Sequence, residues 1–148
     1  MDRVSALIDA FSTSKRSDLD SAWLLADSMG DDQLCLLAKA FPKVRRWQGR
    51  ASIMRFAGRF ARTSDPAFHL GLAALKDPSY DVRHYACALL AYSLSPDSLP
   101  SLQALLKHRD LRTVEDAKAA IDAIRNKNHN YFKDRGHTGK ILWSYASV

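Results

Sequence analysis

The chain has 148 residues, 47 % hydrophobic and 26 % charged, with 22 Lys and Arg against 16 Asp and Glu for a formal net charge of +6. That length and apolar share fit one packed domain, and no stretch approaches the roughly 20 continuous apolar residues of a membrane-spanning helix. Met1-Asp2-Arg3-Val4 carries no export pattern, so the expectation is a soluble cytoplasmic protein, with Cys35 and Cys87 as reduced thiols buried in apolar helical runs.

Charge divides the chain before any element does. Residues 1–38 hold three bases and seven acids, residues 39–62 eight bases and no acid, and residues 125–148 five bases and one acid. An internal and a terminal segment therefore carry the positive excess, which suits an acidic protein or a phosphate backbone equally.

In chain order, the spacing predicts helices over 3–11 and 18–29, closed by Gly30 at a C-cap, and a second pair over 32–41 and 47–61 with Pro42 between. A third pair starts at Asp65-Pro66, an acceptor followed by proline at the first helical position, and its first helix stops at Asp77-Pro78. After Ser79, residues Val82, Tyr85, Ala86, Leu89 and Ser93 share one helical face. A fourth pair covers 99–107 and 113–124. Aligning Ala51, Ala86 and Ala117 gives intervals of 35 and 31 residues, a recurrence that stacks helical pairs into one core. Residues 1–127 are thus predicted to form the repeat and 128–148 a cap or tail packed on the same domain. In that tail, 130–133 and 140–145 are strand-favouring runs around the turn-forming Asp134–Gly139, a pattern for a short β-hairpin or an ordered tail.

The stretch Asp77-Pro-Ser-Tyr-Asp-Val-Arg-His-Tyr-Ala86 resembles the inter-helix signature of HEAT repeats, while the neighbouring copies keep the alanine and lose Val-Arg. The resemblance implies an all-α, HEAT-like α-solenoid of about four helical pairs whose second helices line a concave surface where partners dock. It also implies that Arg83 bonds the aspartate of a neighbouring turn.

Candidate binding residues follow from the charge runs. Arg55, Arg59 and Arg62 fall at i, i+4 and i+7, a basic stripe opposite Ile53, Ala57 and Phe60, readable as a solvated face or a docking surface. Arg46 and Arg50 fall among Trp47, Ala51 and Met54, where a guanidinium against an indole offers a fork to carboxylate or phosphate. Arg83 and His84 would sit beside the stripe. In the tail, Tyr131, Arg135, His137 and Trp143 form either a contact surface or a cap over the exposed end of the stack.

No Gly-x-Ser-x-Gly, P-loop or paired Cys/His at zinc spacing is present, and His129, Asp134 and His137 fit no metal pattern. The expectation is no catalytic residue, no metal and no cofactor. His129-Asn-Tyr-Phe-Lys-Asp-Arg-Gly-His-Thr-Gly139 resembles the ending of small bacterial HEAT-like immunity proteins of contact-dependent inhibition, which implies a cytoplasmic inhibitor bound to one toxin domain. The acidic first pair, with Asp18, Asp20, Asp27, Asp31 and Asp32, is a second surface for such a partner. The competing class is nucleic-acid binding, including a HEAT-like DNA glycosylase with Trp47 and Asp81 as parts of a base site. A scaffold or adaptor is the third.

Overall fold

A computed structural model describes residues 1–145. Among them are eight α-helices and no strand: α1 (Arg3–Phe11), α2 (Arg16–Asp27), α3 (Gln33–Ala40), α4 (Trp47–Gly58), α5 (Asp65–Ala74), α6 (Tyr80–Ser93), α7 (Leu99–Ala104) and α8 (Leu111–Arg125). Short polar side chains set several starts. Asp2 accepts from the Ser5 N–H at 2.7 Å to cap α1, and Asp110 caps α8 through the Arg112 N–H at 3.0 Å. The α5 cap falls one residue before the expected Asp65: Ser64 accepts from the Ala67 N–H. Helix α2 ends earlier than expected, at Asp27 with Ser28 as its C-cap, and Gly30 at φ +65° opens the next single turn, while Leu94 ends α6 in the same left-handed region at φ 57°.

The predicted second helix of pair two shortens from Ala61 to Gly58. Beyond that glycine the backbone tightens into single turns, Phe60 N–H to Ala57 O and Ala61 N–H to Gly58 O. Arg62 therefore leaves the stripe it was expected to share with Arg55 and Arg59.

Helices α2, α4, α6 and α8 each pack against the next, and α1, α3 and α5 do the same. Helix α6 is the centre. It lies against α4, α5 and α8, and Val82, Arg83 and Ala86 to Ala91 are buried around most of its circumference, leaving the side of Asp81, Tyr85 and Tyr92 open. Leu89 and Leu90 are fully covered, each contributing about 2 kcal/mol by transfer from water. Cys87 is buried there as expected, but Cys35 is exposed. Helix α3 turns Leu34, Leu37 and Ala40 inward at helical spacing, which points Cys35 to solvent.

One hydrogen-bond pattern occurs twice with the same sequence offsets. Arg50 donates to the carbonyls of Val44 and Arg45, six and five residues back, and to Asp77, 27 residues on, at 2.8 and 3.1 Å. Arg83 donates to the carbonyls of Asp77 and Pro78, six and five back, and to Asp110, 27 on, at 3.1 Å. Each arginine stitches its own inter-helix turn to the next one. The repeat register therefore pairs Arg50 with Arg83 rather than Ala51 with Ala86.

The predicted β-hairpin in the tail does not form. Asn128 accepts from the Asn130 N–H to start a 3₁₀ turn over His129–Phe132, and the Asn130 side-chain oxygen takes the Trp143 N–H at 2.8 Å. Side chains satisfy the backbone groups that a strand ladder would have paired. The result is an ordered tail packed on α6 and α8.

Candidate functional site

The tail residues expected at a contact surface are mostly engaged within the molecule. Asp134 is buried and accepts from the Thr138 N–H and Oγ1 and the Gly139 N–H at 2.8 to 2.9 Å, bonds that hold its carboxyl below its ordinary range. That brace closes the loop 134–139. Arg135 bonds Asp116 at 2.9 Å, and His137 bonds Asp122 while stacking on Tyr131 with ring centroids 3.8 Å apart. His129 lies between Arg62, which donates to Nδ1 at 2.9 Å, and the Trp143 carbonyl at 2.6 Å from Nε2. Arg62 also donates to the Tyr92 carbonyl and covers that ring at 4.1 Å. The tail motif reads as docking hardware.

Asp116 on α8 was not singled out in the sequence, yet it is the hub of this region. Its buried carboxylate accepts from Tyr80 Oη at 2.9 Å, His84 Nδ1 at 2.8 Å and Arg135 Nη2 at 2.9 Å. Burial works to raise its pKa, but the bonds from His84 and Arg135 outweigh it and the carboxyl is held low. Burial and the same carboxylate push Tyr80 up to about 12. The α8 carboxylate thus fixes the ring of His84.

That ring lines a cleft of about 120 Å³ among α2, α4, α6 and the tail. Trp23 of α2 forms one wall, fixed by its Nε1–H to Ser52 Oγ at 2.7 Å. Over its face lie two guanidinium groups of α4, Arg55 at 5.4 Å and Arg59 at 4.9 Å from the ring centroid. Arg55 also reaches the Tyr85 ring at 5.7 Å. Opposite them the tail contributes Lys133, 5.7 Å from the Trp143 ring, and the ring of Tyr145. Tyr145 packs so tightly on α4 that a Cβ at Gly58 would overlap its ring. Among the described residues no carboxylate lines the cleft, and Arg55, Arg59 and Lys133 make no ion pair. Three cations face one another across aromatic walls.

A second groove shares Trp23, Arg55 and Tyr85 with the cleft and continues past Trp47 to Asp20 and Asp81. Trp47 is 44 % exposed and Arg46, the residue before α4, is exposed as well. Of the expected binding residues, then, Arg55, Arg59, His84 and Trp143 come together, Trp47 stands at the neighbouring groove, Arg46 is exposed outside both, and Arg50 and Arg83 are spent on the turns. Lys133, Tyr85 and Tyr145 belong to the cleft without having been expected there. Tyr85 of α6 joins Trp23 of α2 because Arg55 lies over both rings, but no periodicity marks where an irregular tail places Lys133 and Tyr145.

Comparison with family models finds no match to the chain, and comparison with curated proteins finds none.

Proposed function

We propose that the chain is a non-catalytic, HEAT-like binding module that acts as a bacterial immunity protein, holding a cognate toxin domain against its inner row of helices. The observation that carries this reading is the cleft of Arg55, Arg59 and Lys133, three cations gathered without a carboxylate among the described residues. Unpaired like charges cost stability where they crowd, so a surface that keeps them is built for an external anion. The twice-repeated arginine-to-aspartate stitch supports the HEAT-like stack, in which α2, α4, α6 and α8 are the inner row. The tail's resemblance to immunity proteins supplies the partner class, and its side chains dock it beside the cleft.

The test is co-expression with the C-terminal domain of a toxin encoded in the adjacent reading frame. Co-purification of the two, lost on Arg55→Glu with Arg59→Glu, is the expected result. A toxin domain that neither binds nor is neutralised by the folded chain overturns the proposal.

The groove at Trp47 and Asp81 favours a second reading, a HEAT-like nucleic-acid binder of the glycosylase kind, because an exposed indole and a carboxylate there adjoin the arginines. Its mark is salt-dependent retardation of a DNA probe that Arg55→Gln with Arg59→Gln weakens.

A further inference from the structure

We infer that the Arg55–Arg59–Lys133 cleft is a binding site for a phosphate monoester carried on a flat, aromatic-sized body. This goes beyond a protein partner and holds with or without one.

Charge sets the anion. Three cations with no lining carboxylate among the described residues exceed what a single carboxylate or phosphodiester neutralises, whereas a monoester brings a charge of about −1.5 to −2 and three acceptor oxygens. Geometry supports the same occupant. Arg55 and Arg59 are held by the Trp23 ring rather than by hydrogen bonds, so their N–H forks remain available to oxygen. Lys133 approaches from the tail side.

The wall on the tail side is fixed. Tyr145 is only 7 % exposed, and its ring and hydroxyl press on Gly58 of α4, so it closes the cleft as a rigid face. The cleft is also more enclosed than the groove beside it, which suits a terminal group rather than a running strand. The rings of Trp23, Tyr85 and Trp143 border the cleft beside the cations and give the body that bears the phosphate aromatic walls. The carboxylates Asp20 and Asp81 of the adjoining groove repel a polyphosphate backbone that tried to continue past it.

The experiment follows the three indole N–H resonances of the full chain during titration with phenyl phosphate, inorganic phosphate, benzoate and a thymidine oligonucleotide. Trp23 and Trp143 should shift saturably with phenyl phosphate at millimolar concentration or below while Trp47 stays in place. Benzoate and inorganic phosphate should each bind at least tenfold more weakly. Arg55→Gln with Arg59→Gln should weaken phenyl phosphate at least tenfold, and Lys118→Gln on the far face of α8 should not. If the double variant fails to fold, Lys133→Gln, altering one exposed side chain, should still weaken binding severalfold. The inference is overturned by no saturable shift, by equal movement of Trp47, by benzoate matching phenyl phosphate, or by the oligonucleotide binding tighter than the monoester. Because no toxin is present, failure here leaves co-purification with a toxin domain as a separate result.

Discussion

Asp116 offers a graded perturbation of the hub that joins α6, α8 and the tail. In Asp116→Asn, the amide keeps an oxygen for Tyr80 and His84 and presents its NH₂ to Arg135, whose side chain is 42 % exposed and swings into water. The exposed partner accounts for about 0.5 kcal/mol and the two buried bonds, weakened from charged to neutral, for about 0.5 to 1 kcal/mol each. The expected loss is about 2 kcal/mol, or roughly 6 °C in Tm at the 2–4 °C per kcal/mol of a chain this size. Asp116→Ala strands both buried donors and should cost about 3 to 4 kcal/mol, while Arg135→Gln should cost under about 1 kcal/mol. Denaturant unfolding at neutral pH reads all three. The pH dependence adds a signature. The folded carboxyl titrates below its unfolded value of 3.8, so its stabilisation is complete above that value and fades as pH falls through the folded one. Asp116→Asn should flatten that acid limb. Equal losses for Asp116→Ala and Arg135→Gln would refute the hub.

Asp77→Ala removes a carboxylate 5 % exposed that Arg50 grips twice, and should cost about 3 to 5 kcal/mol by chemical denaturation, far more than removing the exposed Arg3–Asp32 pair. His129 is pushed below its ordinary pKa of 6.5 by burial and by the Arg62 guanidinium, against the opposing Trp143 bond. The fold disfavours its protonated form, so stability should be full above about pH 6.5 and fall as pH drops below that value toward the folded one. Tm compared at about pH 7.5 and pH 5.5 should drop less in His129→Gln than in the parent. Gly58→Ala drives a methyl into the Tyr145 ring and should cost about 1 to 3 kcal/mol while shifting the Trp143 indole resonance, whereas Gly71→Ala meets the flexible end of Leu89 and should cost less.

Much of the frame was legible in the sequence because helix boundaries here obey local chemistry. Proline, glycine and short capping residues placed each of the eight helices to within a few residues, and the nearly all-round apolar pattern of α6 announced its central position. The repeat register was less legible. Alanine recurs for packing, so it aligned the copies two residues away from the arginines whose hydrogen bonds define equivalence. The cleft was half legible. Arg55 and Arg59 were visible as a stripe, but what faces them depends on the path of an irregular tail whose Asn130 and Asp134 bind backbone groups at a distance. β-Propensity misled there because those side-chain bonds displaced the ladder that Tyr131, Phe132 and Trp143 would favour.

The tail also fixes an order of events during synthesis. Domains build from the N-terminus as the chain emerges, and the eight helices precede residues 129–145 in the sequence. The helical frame is therefore complete while the cations of α4 still face open water, and the cleft comes into being only when Lys133, Trp143 and Tyr145 arrive. A fragment lacking the tail would lose the cleft together with the buried Phe132 ring and the Arg135–Asp116 bond.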